Sequence, residues 1–481
     1  MSDITEKDTI TAGEEVRDSP SPVLPVIHNQ RLPLWISLIV IATVSFVTRV
    51  LKINYSDGGT PVFDEKHYAP QAYQMLMNGG LEDNPGYGLV VHPPMGKMMI
   101  ALGELIFGYT PLGWRIIAIA SAVVIVTVLA AITWRLTHSL TAVIVTGVIA
   151  NTEGILLVTS RIGMLDIFLA MFVVLGFFCI VMDITRDRTG VSWFHRFWLL
   201  GSGLFFGLGM SVKMSGVFYP ALAGIVMVFT VMIVSKNVRT TMTATLAGLV
   251  YYFLVPVIVF ALSFTPWIAA ENSVSRHADS NFLSSFISYQ FGIGEFHTSL
   301  LTSEGHTHPW ESKPWHWLIG MRPMLYFTNS VDGDATEKIW LATNPAVWLL
   351  LVPVTLWLSY RFIRNKSMSH GLVLAGIVVG IVPWMIFYDR TMYLFYTATL
   401  APFLVLGIVM VLNDIVMFFK NRGRSEVTVS KWLYGGYSLL VIVTFVLASP
   451  WFYGFAVSDD IHDTLEFVEP VPSVTTSTES E

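Results

Sequence analysis

Apolar runs close to 20 residues long recur from one end of this chain almost to the other. That is the length a helix needs to cross the roughly 30 Å hydrocarbon core of a bilayer. About eleven such runs can be marked: 33–51, 114–134, 139–159, 163–183, 197–212, 214–234, 243–268, 343–362, 371–388, 391–418 and 432–456. Charged residues make up 13% of the 481 positions, about half the roughly 25% of a soluble domain. The expectation is an all-α polytopic membrane protein with about eleven transmembrane helices and two long polar loops, 52–112 and 269–340. The acidic, Pro/Ser-containing stretch 1–32 reads as a disordered tail rather than a signal peptide, and 457–481 as an acidic tail. The net charge of −6 gives no reason to expect nucleic acid as a partner. Cys179, the single cysteine, rules out a disulfide framework within one chain.

Orientation follows from where the basic residues of the short loops fall. With the N-terminus in the cytoplasm, the inner loops carry Arg135; Arg186, Arg188 and Arg196; Lys236 and Arg239; Arg361, Arg364 and Lys366; and Lys420, Arg422 and Arg424. This puts 52–112, 269–340 and the C-terminal tail outside, and the expected location is the plasma membrane. Several ionisable residues break the pattern by sitting at the outer ends of spans: Arg115, Arg161, Asp166, Lys213, Asp389 and Arg390. Each alone can reach the interface along its own side chain. Gathered at one face, where charge at membrane depth is costly, they suggest a shared anionic ligand such as a lipid-linked phosphate, held by Arg forks and a Lys point charge.

The first outer loop contains PVFDEKHYAPQAYQMLMNGGLEDNPGYGLVVHPPMGK, residues 61–97, with short helices expected near 66–78 and 95–107. A loop that merely joins two helices needs no adjacent acid pair. Asp64 is placed to take a proton from an incoming hydroxyl, with Glu65 orienting the acceptor or tuning its neighbour. His92 and Lys97 close the loop and are further candidates for a phosphate. The second outer loop is rich in Trp and His, among them His308, Trp310, Trp315, His316 and Trp317. No zinc-binding spacing is present, so the expected metal ligands are none. Flat rings suited to sugar stacking are the functional reading of its aromatics. Asn329–Asp334 reads as a turn, lacking the spacing and closing Glu of a calcium loop.

These blocks together resemble the protein O-mannosyltransferases. F-D-E-x-H-Y and H-P-P-x-G-K are similar to that family's first outer loop, and Gly113-Trp114-Arg115 to the head of its second span. Ser160-Arg161-Ile162-Gly163-Met164-Leu165-Asp166 is similar to its S-R-x-x-x-L-D signature, and Gly209 to Lys213 to its G-x-x-x-K segment. His308 to Trp317 with Arg322-Pro323 resembles the bacterial H-P-x-x-S-K-P-W-x-W…R-P pattern, and Asp389 to Tyr396 the last family block. The resemblance implies a GT-C glycosyltransferase that moves mannose from polyprenyl-phosphate-mannose to Ser or Thr of secreted or membrane proteins, with inversion. It puts Asp64 at the catalytic position with Glu65 beside it, and Arg115, Arg161, Asp166, Lys213, His92, Lys97 and Arg390 around the donor. His308, Lys313, Trp315 and Trp317 fall on the acceptor side. No cofactor is firmly implied, and a divalent cation (Mg or Mn) is left open. Membrane lipids and the secretion translocon are the other candidate partners. The segment 269–340 is too short for the β-trefoil MIR domain of the eukaryotic form, which points to the short bacterial form. Two rivals stand beside this reading. Another GT-C enzyme would label a lipid or glycan acceptor instead of protein. A secondary transporter would show paired repeats, and none is apparent.

Overall fold

The computed structural model describes residues 31–55, 59–82, 90–186, 191–235, 237–331 and 334–465. The expected N-terminal tail up to residue 30, the acidic tail from 466 and part of the turn expected at 329–334 lie outside the described residues.

In chain order the helices are α1 (Arg31–Val50), α2 (Glu65–Met77), α3 (Met95–Phe107), α4 (Pro111–Thr137), α5 (Leu140–Thr152), α6 (Gly154–Arg161), α7 (Leu165–Ile184), α8 (Phe197–Met210), α9 (Phe218–Ser235), α10 (Val238–Leu249) and α11 (Val255–Ser263). The polar segment that follows holds α12 (Thr265–Ala269), α13 (Phe282–Thr298), α14 (Pro314–Trp317) and strands β1 (Met324–Val331) and β2 (Ala335–Leu341). Then come α15 (Pro345–Trp348), α16 (Leu351–Asn365), α17 (Met368–Ile386), α18 (Ala401–Lys420), α19 (Glu426–Tyr453), β3 (Ala456–Ser458) and α20 (Asp459–Leu465).

Among the described residues nine helices are long and apolar enough to span a membrane, and the bent pair α5–α6 makes a tenth. The remaining run of the expected eleven, 197–212, is the shorter apolar helix α8 of 14 residues, which lies along α7 with Arg196 paired to Asp183 at one end and Lys213 to Asp166 at the other. The run expected at 139–159 is broken by a 57° bend. Glu153 causes it. Its backbone is extended, and its carboxylate caps α6 by accepting from Ile155 N (3.0 Å) and Leu156 N (2.8 Å). The run expected at 391–418 becomes a helix only from Ala401, because 394–399 winds as a 3₁₀ turn. Hydropathy reports burial, and a buried irregular segment is as apolar as a helix.

The fold is also not all-α. β1 and β2 pair antiparallel from Met324↔Leu341 to Val331↔Ala335, with β3 on the far edge of β2. The register slips between Leu325 and Phe327, leaving Tyr326 as a bulge. Its ring stacks on Phe63 at 4.2 Å. Of the expected turn, Asn329–Val331 is strand and Asp334 is turn.

α7 is buried along most of its length and α4 and α18 over more than half, while α1, α9 and α19 expose their apolar faces. Burial of backbone polar groups inside helices is what makes such a core tolerable in lipid. Where α3 meets α4 the approach is so close that a Cβ on Gly103 would lie 2.1 Å from the carbonyl oxygen of Gly113. That contact seats α3 against the head of α4 and with it Arg115. The two polar segments come together at one end of the bundle: His297 of α13 donates its Nε2–H to Val91 O at 2.8 Å.

Candidate active site

Asp64 stands at the N-terminus of α2, where an Asp side chain ordinarily caps the helix by accepting backbone N–H bonds. Here it does not. The Asp64 carbonyl accepts from His67 N and Tyr68 N, and the side chain makes no cap bond. The carboxylate is left for other work, with the Tyr68 hydroxyl donating to Oδ2 at a long 3.4 Å. The residue before it, Phe63, has φ of +49°, a left-handed conformation that costs a non-glycine residue energy and persists only where the surroundings hold it. Stacking on Tyr326, with Phe395 edge-on at 6.2 Å, supplies that hold. Burial pushes the Asp64 carboxyl up to about 6, against the pull of Lys213 and with the push of Asp166.

Glu65 does something different. It is fully buried, and both oxygens are taken: Oε1 accepts from Arg115 Nε (2.7 Å) and Gly163 N (2.7 Å), Oε2 from Arg115 Nη2 (2.6 Å) and Val62 N (3.0 Å). One carboxylate thus ties α2, the head of α4 and the extended link between α6 and α7. Arg115 spends its remaining reach on Ile53 O (2.5 Å) and lies over the Tyr55 ring. Arg161 donates to Leu51 O (2.5 Å), Arg49 O (3.1 Å) and Lys52 O (3.2 Å). It satisfies the carbonyls that the end of α1 leaves without helical partners. Lys97 pairs with Glu82, both buried. It is not among the residues that line the cavity described next.

That cavity, of about 250 Å³, opens beside α7 and is lined by His92, Asp166, Lys213, His297, Arg390 and Tyr396 with apolar neighbours. Lys213 Nζ is 2.7 Å from Asp166 Oδ2. Arg390 donates Nε–H to His297 O at 2.7 Å and contacts the Tyr396 hydroxyl. His92 stacks on His297 with ring centroids 5.0 Å apart. Both imidazoles are held neutral at pH 7: burial, then Lys213, lowers His92, and burial with Arg390 brings His297 down to about 4. His92 Nδ1 is buried without a partner.

The second polar segment packs around 389–396. Ser312 N donates to Met392 O (2.8 Å), and Lys313 Nζ to Arg390 O (3.0 Å) and Thr302 Oγ1 (2.7 Å). Trp317 is buried, its Nε1–H donating to Ser312 Oγ at 2.8 Å, and His308 lies edge-on to Tyr393 at 5.2 Å. Trp315 is half-exposed. Among the described residues no three His, Cys, Asp or Glu side chains gather that could hold a metal. Sequence reasoning passed over Tyr326, and gave no individual role to Tyr68 and Tyr396, which stand in quoted motifs, or to His297 of the second loop. An aromatic in a chain this apolar carries no local mark of its role.

The fold is that of GT-C membrane glycosyltransferases. The donor-bound protein O-mannosyltransferase complex of S. cerevisiae superposes with a TM-score of 0.74 at 13% identity, covering 91% of this chain and 92% of that one. ArnT from Cupriavidus metallidurans gives 0.52 at 13%, covering 88% and 77%. The family description "Dolichyl-phosphate-mannose-protein mannosyltransferase" matches residues 112–269, and "C-terminal four TMM region of protein-O-mannosyltransferase" matches 282–469. A polyprenol-phosphate-mannose–protein mannosyltransferase of Corynebacterium glutamicum is 37% identical over 89% of this chain and 91% of its own length. The Mycolicibacterium smegmatis protein of the same name is 35% identical over 94% and 96%. The chain belongs to the protein O-mannosyltransferase family and is a membrane mannosyltransferase.

Proposed function

We propose that this protein transfers mannose from polyprenyl-phosphate-mannose to the hydroxyl of Ser or Thr in an acceptor protein, with Asp64 as the base. The observation that carries the assignment is a carboxylate left uncapped at a helix N-terminus and tuned to about 6, in a field set by Lys213 and Asp166. Asp64 takes the hydroxyl proton as the acceptor oxygen attacks the anomeric carbon from the side opposite the phosphate. The bond from that carbon to the phosphate oxygen breaks, and the electron pair leaves with the lipid phosphate. A single base and no protein nucleophile fit direct displacement with inversion. Positioned cations are what such a leaving group needs. Lys213 and Arg390 are the proposed phosphate partners, with His92 Nδ1 as a neutral donor or acceptor beside them. Asp166 releases part of its hold on Lys213 as the phosphate enters.

Arg115, Arg161, Glu65 and Lys97 are proposed as frame rather than phosphate ligands, because their bonding capacity is already spent within the chain. Lys313 and Trp317 hold 389–393 in place. Trp315 and His308 stand nearer the acceptor's approach. The distribution of basic loop residues supports an extracytoplasmic active face in a plasma-membrane protein.

The test uses purified protein with radiolabelled polyprenyl-phosphate-mannose and a Ser/Thr-rich peptide, wild type beside a folded Asp64→Asn variant. Peptide labelling that drops at least about 100-fold in the variant supports the reading. Label in lipid or glycan instead of peptide overturns the acceptor, and undiminished peptide labelling moves the base elsewhere.

A further inference from the structure

Tyr326 is the residue that the pairing of β1 with β2 skips. A bulge of this kind interrupts the ladder and re-aims one side chain. The re-aimed ring lies on Phe63, with centroids 4.2 Å apart and planes 12° from parallel, and Phe63 immediately precedes Asp64. Tyr326 is buried, and its hydroxyl has no hydrogen-bond partner. Other hydroxyls around the site are engaged within the chain. Tyr55 donates to Arg161 O at 2.8 Å, Tyr68 donates to Asp64 Oδ2 at 3.4 Å, and Tyr396 receives Arg390. A phenol can both donate and accept, and leaving a buried one unpaired is costly, so such a group calls for a partner from outside the chain.

Burial, then Asp166 and Asp64, hold this phenol well above its ordinary range. It is therefore a neutral O–H, and those two carboxylates are the charges that bear most on it. Asp166 is tied to Lys213 at the proposed phosphate end, and Asp64 is the proposed base at the other. In a displacement with inversion the attacking oxygen, the anomeric carbon and the leaving oxygen lie on one line. A group that feels both ends of that line stands beside its middle, next to the anomeric carbon. The sugar hydroxyl adjoining that carbon is the one at position 2. Resting on the transfer reaction proposed above, we infer that the Tyr326 hydroxyl bonds the axial 2-hydroxyl of the donor mannose and makes the site select mannose over glucose, its 2-epimer. Hydrogen bonds to a 2-hydroxyl strengthen as the bond to the leaving group breaks, so the contact acts on kcat as well as on KM. A site that pairs a buried polar group with a substrate hydroxyl discriminates against the analogue lacking it.

The experiment compares mannosyl, 2-deoxymannosyl and glucosyl phosphates on one polyprenol, with wild type and Tyr326→Phe. The Phe variant keeps the ring that stacks on Phe63 and removes only the hydroxyl. Tyr434→Phe is the control, because Tyr434 of α19 also carries a buried hydroxyl without a partner. Tyr326→Phe is expected to lower kcat/KM for the mannosyl donor at least about tenfold, the scale of one hydrogen bond made inside the protein. The 2-deoxy donor is expected to be unaffected, so the preference for mannose over it and over glucose narrows by the same factor. The control is expected to leave all three donors unchanged. Equal losses with the mannosyl and 2-deoxy donors would make Tyr326 a prop for Asp64 and overturn the inference, and so would no loss with either. A binding measurement without acceptor runs independently of turnover. Tyr326→Phe is expected to weaken polyprenyl-phosphate-mannose and leave bare polyprenyl phosphate as tightly bound as in wild type. Equal weakening of both lipids puts Tyr326 on the phosphate, and the inference fails. A weakening confined to the mannosyl lipid, with no peptide labelling by wild type, would fault the transfer reaction and leave the sugar contact standing.

Discussion

Arg115 looks from sequence like a phosphate ligand and from its contacts like a keystone, and one substitution separates the two. Arg115→Met removes the cation that neutralises Glu65, a carboxylate with no exposed surface. Taking away one partner of such a pair costs about 3–5 kcal/mol, since the remaining charge is stranded. Adding Glu65→Gln removes that charge. The amide oxygen can still accept from Gly163 N, which Oε1 does now at 2.7 Å. Its NH₂ then faces Val62 N, which now donates to Oε2 at 3.0 Å. The double variant is left with the Val62 N–H and the amide NH₂ as buried donors without an acceptor, about 1–3 kcal/mol each. The expectation is therefore that the second substitution adds no further loss: Arg115→Met alone and Arg115→Met with Glu65→Gln each cost about 4 kcal/mol. A fluorescence-detected thermal unfolding scan in detergent, at one fixed heating rate, reads it as an apparent Tm of the double variant no lower than that of Arg115→Met. An Arg115→Met protein that unfolds like wild type and shows only a raised donor KM would refute the keystone reading and return Arg115 to the phosphate.

Three further outcomes follow from the same geometry. With Asp64 raised to about 6, the base is lost by protonation as pH falls. The kcat/KM for donor should then drop about tenfold per unit below that value, and a rate profile flat down to pH 4.5 would exclude Asp64 as the titrating base. Lys213→Met should cut donor kcat/KM about 100-fold, the scale of losing one preorganised charge partner, with the acceptor KM little changed; a matching rise in acceptor KM would move Lys213 off the phosphate. Lys97→Met strands Glu82 and should lower the apparent Tm while leaving the donor KM of the folded fraction at the wild-type value, as measured by steady-state kinetics.

The positions of α2 and α3 were legible in the loop that bears them, expected near 66–78 and 95–107 and found at 65–77 and 95–107. Local pattern sufficed there, because each helix is announced by its own polar–apolar spacing. The bend at Glu153 was not legible. An acid inside an apolar run gives no sign whether it is capping a helix within the protein or facing a cavity. The same limit governs the cations. Arg115, Arg161, Lys213 and Arg390 look alike at the ends of their spans, and a charge near a membrane face calls only for some partner.

What the sequence determined by itself was the membrane architecture and the family. Apolar length is a property of each segment alone, and the ordered motifs from Asp64 to Tyr396 survive reading one residue at a time. What only the tertiary structure decided was which partner each of several charges that resemble one another in sequence finds. Glu65 and Arg115 cancel each other fully within the protein, and Arg161 is consumed by the end of α1. Lys213 and Arg390 reach a cavity large enough to admit a ligand. Which partner a buried charge finds depends on residues 50 to 110 positions away, brought within 3 Å by packing, and no local pattern carries that distance.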